Sequence, residues 1–317
     1  MPAVITVDDY LDPDVAYLLG LIAARGQLYV EGDIRRLIID FPFRLFEARP
    51  PRGSKLKFNI PQEVRLCLDD VRNRINELLE VNVQINRGQH NNQLLAVFTK
   101  NTMSWRNLTT LFASKSSYQE FAIPPIMFEV PRDIQLEFVR GFADASATPT
   151  QADHAQFGAD SPKLHRIVLQ VQHENWTLPT QLCRLLQVKL GVPVQHILWG
   201  HPNIRNPKGG GSQWAKEHRI RIYADNFMPV GFHFGFKQRI LEEMAKHNQK
   251  FKSQVKHTPC NPLGRHKVKH KEHHKDERSK KLPSALRGHH FDAYFEICQK
   301  LGCTQGSSSK LVQISDV

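Results

Sequence analysis

Apolar residues along this chain recur with two periods, and the switching between them sets out an order of elements. A helical stretch covers residues 14–25, followed by strand-like pieces at Gln27–Glu31 and Arg36–Phe41. Pro50-Pro51-Arg52-Gly53 reads as a loop, because proline and glycine together impose turn geometry. Lys55–Ile60 then alternates, with Leu56, Phe58 and Ile60 on one face and Lys55, Lys57 and Asn59 on the other, the period-two signature of a strand. Pro61 opens a helix to about Glu80, apolar at Val64, Leu66, Val71, Ile75 and Leu79. Val81–Arg87 alternates again, Gly88–Asn92 makes a turn, Gln93–Lys100 returns as a strand, and a helix near Ser104–Phe112 closes the series.

The same order then comes round a second time. A helix over about 133–145 leads into a connection rich in Thr, Pro, Gln and Ala. Arg166–Gln172 reads as a strand, Trp176–Leu190 as a helix ending at Gly191, and Val194–Trp199 as a strand. Pro202–Gln213, with Gly209-Gly210-Gly211, reads as a long hairpin loop before the partner strand His218–Tyr223. Asp225-Asn226 start a helical region that runs to about His247. An α-β-β-α-β-β-α order used twice predicts an α+β fold of two pseudo-symmetric subdomains, 10–125 and 126–247, with a basic His-rich tail over 248–317 that carries a short amphipathic helix at Phe291–Leu301.

The first helix of each half carries a related nonamer. Leu18-Leu19-Gly20-Leu21-Ile22-Ala23-Ala24-Arg25-Gly26 and Val139-Arg140-Gly141-Phe142-Ala143-Asp144-Ala145-Ser146-Ala147 each place a glycine in the middle and small residues at the end. Each follows a start signal, Pro13-Asp14 or Pro131-Arg132-Asp133, whose acid complements the helix dipole. Gly20 and Gly141 are the expected helix interface, since a missing Cβ lets two helix backbones approach. The duplicated pattern resembles the LAGLIDADG family of homing endonucleases in its single-chain, two-motif form, over residues 10 to about 245. The resemblance implies two αββαββα subdomains forming a DNA-binding saddle, a monomer with internal pseudo-symmetry, and double-stranded DNA as partner.

In that family the eighth motif position carries a metal-binding acid. Here it is Arg25 in one copy and Ser146 in the other. Two-metal phosphodiester cleavage needs carboxylates, because Mg²⁺ is a hard cation held by anionic oxygens. Arg25 repels a cation and attracts a phosphate, which suggests a clamp on the scissile-phosphate position, and Ser146 is neutral. Asp144 falls at the sixth position, which in the family serves the helix end. The resemblance therefore implies the scaffold and its DNA binding, while the residues argue against its usual active site. Some bacterial developmental regulators combine a degenerate scaffold of this kind with a C-terminal DNA-binding module; this chain is similar in lacking the acids and differs in its tail.

Composition sharpens that picture. The chain of 317 residues carries a net charge of +12, which calls for an anionic partner, most commonly nucleic acid. No apolar run reaches the roughly 18 residues of a membrane span. The five scattered cysteines make no disulfide framework, and no secretory signal is visible, so the expectation is an intracellular protein of the cytoplasm or nucleoid, with an organelle left open. Polar residues at every second strand position suit the major groove, where Asn and Gln pair with adenine and Arg with guanine. The candidates are Lys55, Lys57, Asn59, Asn82, Gln84, Asn86, Gln170, Gln172, Arg219 and Arg221.

Three functional readings follow. The first is sequence-specific DNA binding without cleavage, needing no cofactor and open to a partner nuclease or regulator subunit. The second is an active endonuclease using Mg²⁺ with displaced acids, Asp144, Glu31 or Asp33, or using a metal site in the tail. The third is an RNA-binding intron maturase. In the tail, Cys260, His289, Cys298 and Cys303 are candidate ligands for a structural Zn²⁺, although their spacing matches no established finger.

Overall fold

The computed structural model describes residues 11–152, 164–198 and 217–254. Helix α1 (Pro13–Arg25) leads into strands β1 (Gly26–Glu31) and β2 (Ile34–Pro42), then α2 (Ile60–Leu79), β3 (Val83–Arg87), β4 (Asn91–Phe98) and α3 (Met103–Leu111). The second half has α4 (Arg132–Ser146), β5 (Ala147–Thr150), β6 (Arg166–Gln172), α5 (Thr177–Arg184), β7 (His196–Leu198), β8 (Glu217–Tyr223), α6 (Ala224–Phe227) and α7 (Gly235–Gln254). Each half builds one four-stranded antiparallel sheet, in the orders β1-β2-β4-β3 and β5-β6-β8-β7. Renumbering the second sheet from its own first strand makes the two orders identical. This is the duplicated α+β architecture that the sequence order predicts.

The reason for the two apolar nonamers lies where α1 meets α4. A helix apolar all round is a buried helix, and α1 is buried without interruption from Ala16 to Arg25. A Cβ built on Gly20 would overlap the Phe138 carbonyl oxygen and lie 2.7 Å from the Phe142 nitrogen. A Cβ on Gly141 would overlap the Tyr17 carbonyl oxygen. The contact is thus reciprocal and backbone to backbone. Asp12 caps α1 by accepting a hydrogen bond of 2.7 Å from the Val15 amide, with Pro13 in the first turn. The start of α4 differs: Pro131 is its N-cap and provides no side-chain cap, leaving Asp133 as the acid of the first turn.

Four elements depart from the sequence reading. Lys55–Ile60 is extended but unpaired, and α2 already starts at Ile60. Its alternation persists because Phe58 and Ile60 pack on the core, and the Arg239 guanidinium lies 4.9 Å from the Phe58 ring centroid. The connection after α4 is instead a strand, β5, hydrogen-bonded to β6 in the place that β1 holds beside β2. The helix read over Trp176–Leu190 is α-helical only to Arg184 and then widens into a π-helical turn over Leu185–Lys189. The helical region after Asp225 is two helices, separated at a turn where Gly231 takes a positive φ of 69°. The Pro202–Gln213 loop and the tail lie outside the described residues.

Candidate nucleic-acid interface and the paired helix ends

α1 and α4 run side by side, and each passes directly into the edge strand of its own sheet, so Arg25 and Ser146 occupy matching places. What surrounds them does not match.

At the end of α1, Arg25 is buried, and its Nη2 donates to Glu217 Oε1 at 2.7 Å. Glu217 is the first residue of β8, so this pair joins the two halves of the chain. A second guanidinium closes on the same carboxylate: Arg44 Nη1 donates to Glu217 Oε2 at 2.9 Å, and Arg44 Nη2 donates to Oε1. Arg44 reaches Glu217 because a short 3-10 turn, Phe43–Leu45, follows β2. Burial alone would raise the Glu217 carboxyl, but the Arg44 hydrogen bonds and the Arg25 charge outweigh it and hold the group below the usual carboxylate range. The Tyr118 ring lies 5.7 Å from the Arg25 guanidinium, brought there by a segment that hydrogen-bonds along β1, Tyr118 N to Gly26 O at 2.9 Å. Arg25 is therefore no open phosphate clamp; its charge is already matched inside the protein.

At the end of α4, the Ser146 hydroxyl turns back to donate to the Phe142 carbonyl at 2.7 Å, the usual i−4 bond of a buried helical serine. Asp144, one of the displaced acids considered above, is fully buried. It accepts from the Tyr17 hydroxyl at 2.9 Å, the His233 amide at 3.1 Å and the Phe234 amide at 3.3 Å. Burial raises its carboxyl above the ordinary value, against the pull of the Lys237 charge and the Tyr17 hydroxyl. Lys237 is fully buried too, and its Nζ donates to the Asp144 and Ala147 carbonyl oxygens, each at 2.9 Å. A cation thus satisfies the carbonyls at this helix end. Burial pushes that ammonium down to about 8, with Asp144 opposing.

The remaining acids of the nuclease reading sit elsewhere. Glu31 ends β1, five residues past Gly26 and so about 17 Å along the strand. It pairs with Arg36 at 2.8 Å. Asp33 lies in the β1–β2 turn, where its carbonyl accepts from Arg35 Nη1. Divalent metal is poorly served at the helix ends, since Glu217, the carboxylate that reaches Arg25, already faces two guanidiniums. Among the described residues no group of three or more His, Cys, Asp or Glu is arranged to hold a metal ion. The zinc candidates Cys260, His289, Cys298 and Cys303 lie outside the described residues.

The base-reading candidates are distributed unevenly. Gln84 and Asn86 are exposed on β3, on the outer face of the first sheet, opposite Leu95 and Gln93. Asn82 is exposed just before that strand. Lys55, Lys57 and Asn59 are exposed on the segment before α2, which belongs to neither sheet. Arg219 and Arg221 are half-buried on the outer face of β8, Gln172 is half-buried opposite Glu217, and Gln170 is buried with its Nε2 donating to Thr148 Oγ1 at 3.3 Å. The sequence reading missed a further cluster on the outer face of the first sheet: Asp40 Oδ1 accepts from Asn91 at 2.7 Å and from Gln93 at 2.8 Å, with Gln27 at 3.4 Å from Oδ2. Its signal was available, since Gln27, Asp40 and Gln93 are the polar members of alternating runs. Glu217, Arg44 and Lys237 were missed as well, because nothing local to any of them marks its distant partner.

No family model matches this sequence, and no curated protein does. By structure the chain is similar to the homing endonuclease I-DmoI: a complex with DNA and Mn matches at a TM-score of 0.38 and 16% identity, covering 74% of this chain and 96% of that one. It is similar also to full-length DUF199/WhiA from Thermatoga maritima, at a TM-score of 0.40 and 13% identity, covering 77% of this chain and 61% of that one. This chain therefore spans less than two thirds of that protein's length. The N-terminal LAGLIDADG domain of DUF199/WhiA matches at a TM-score of 0.36 and 13% identity, covering 73% of this chain and 80% of that one.

Proposed function

We propose that this chain is a sequence-specific double-stranded DNA-binding protein that does not cleave through its paired helix ends. One observation carries the second half of that statement. Neither helix-end position holds the anionic oxygens that a divalent cation requires, and each is engaged inside the protein: Arg25 with Glu217, the Ser146 hydroxyl with the Phe142 carbonyl. The nearest acid in either motif, Asp144, is buried with three donors on it. Glu31 and Asp33 stand at the far end of a hairpin. The DNA-binding half is supported by the net charge of +12, by two sheets of identical strand order, and by polar and cationic groups on their outer faces. A β-ribbon fits the major groove, whose donor and acceptor pattern distinguishes all four base pairs.

The test is selection from a library of random duplexes, with binding and strand scission scored on the same pools in Mg²⁺ and in Mn²⁺. The expected result is enrichment of a defined sequence, uncut, with an affinity that falls steeply with salt as counterions are released. Specific scission in either metal overturns the non-cleaving assignment. Retention of duplex that does not change with salt overturns the DNA assignment.

A further inference from the structure

We propose that Arg44 is a phosphodiester-binding residue, and that in the free protein the Glu217 carboxylate occupies the fork that a DNA phosphate takes in the complex. This rests on the DNA-binding reading above. The first support is geometric. Arg44 meets Glu217 with both terminal nitrogens, one on each carboxylate oxygen, the two-pronged arrangement with which a guanidinium also grips a phosphate.

The second support is the division of burial within the cluster. The side chains of Arg25 and Glu217 are each 4% exposed, whereas that of Arg44 is 52% exposed. Arg25 alone already gives the buried carboxylate a countercharge. Arg44 is an additional cation attached from the solvent side, so a phosphate in its fork would return to it the two charge-assisted hydrogen bonds it gives up, while Glu217 keeps its bond to Arg25. The cluster holds two guanidiniums against one carboxylate and keeps a net charge of +1, which favours the arrival of another anion.

The third support is position. Glu217 shares its face of β8 with Arg219 and Arg221, and it is the acid in that row of cations. Arg44 comes from the first half of the chain and Glu217 from the second. A phosphate drawn to Arg44 therefore sits at the junction of the halves, beside the strand that carries the other two arginines. The Arg25–Glu217 pair stays in place while Arg44 changes partner.

The experiment measures affinity of the full chain for its selected duplex across a salt series, after the wild type has been shown to bind. Arg44→Ala should make the negative slope of log affinity against log salt shallower by about 0.9, the value for one lost phosphate contact, while Arg44→Lys should keep the wild-type slope. Glu217→Gln should raise affinity at low salt by about threefold or more, because the internal competitor loses its charge. An Arg44→Ala slope equal to that of the wild type overturns the proposal, as does a folded Glu217→Gln protein with weaker binding. If Glu217→Gln does not fold, the two Arg44 variants decide alone. A wild type that binds no duplex fails at the first step, and that result strikes the DNA-binding reading itself.

Discussion

The ends of α1 and α4 are matched by the backbone and opposed in chemistry. Each helix is buried, each crosses the other at a glycine, and each runs straight into the edge strand of a four-stranded sheet. Yet α1 ends in a buried cation paired with an acid from the other half, and α4 ends in a neutral hydroxyl bonded to its own helix. At α4 the buried cation comes from α7 instead, as Lys237, and it serves backbone carbonyls. The lesson is that close helix packing constrains only the small residues along the crossing. The polar groups at the two ends are free to diverge, provided that each helix end finds partners for its carbonyls and each buried charge its match.

The largest test of that comparison is Asp144→Ala. It leaves the Tyr17 hydroxyl and the His233 and Phe234 amides without an acceptor in a buried place. The expected loss is about 3–5 kcal/mol, or on the order of 10 °C in Tm, read by thermal melting. A shift under about 2 °C would mean that the acid of α4 holds nothing together.

Next in size is a pH effect that belongs to the α4 end alone. The folded-state value of Lys237 is about 8, below the ordinary lysine value, so between about 8 and 10 the unfolded chain keeps a proton that the folded chain has released. Stability from this group therefore rises with pH across that window, by about 1–3 kcal/mol, and is lost as pH falls through 8. From about 9 upward the Cys67 and Cys183 thiols act in the opposite direction, because burial keeps them protonated in the fold, and above about 10 Tyr17 joins them through burial and Asp144. Denaturant unfolding of the wild type and of Lys237→Met at pH 7, 8, 9 and 10 measures the rise as the difference between the two proteins; the same pH dependence in both would assign the effect elsewhere.

The smallest effect is expected from Ser146→Ala. Its hydroxyl bonds to a carbonyl that also serves the helix ladder, so removal should cost about 1 kcal/mol or less and leave DNA affinity unchanged. A large loss of affinity on this change would give Ser146 a role at the interface after all.

Much of this arrangement was legible in the sequence, and the parts that were not have definite causes. The paired helices showed because a glycine among apolar residues occurs twice, and β2, β4 and β8 showed because large apolar residues alternate with polar ones. β5 did not, since Ala147-Thr148-Pro149-Thr150 has no large side chain to alternate; only its place after α4, equivalent to that of β1 after α1, marked it. Lys55–Ile60 misled in the other direction, because one-sided burial gives alternation whether or not a neighbouring strand supplies hydrogen bonds. At the site, the absence of acids from the motif ends could be read from two letters. What replaced them could not: Glu217 is 192 positions from Arg25, and an ion pair across the halves leaves no local periodicity.

The glycine crossing has a genetic consequence. Gly20 is limited by the carbonyl oxygen of Phe138, and Gly141 by that of Tyr17. Every amino acid carries that oxygen, so no substitution at position 138 or 17 makes room for a larger residue opposite. A screen for second-site suppressors of a Gly20 or Gly141 lesion should recover same-site revertants and changes that stabilise the protein globally, but no compensating partner on the facing helix. The two glycines answer to backbone, and backbone does not mutate.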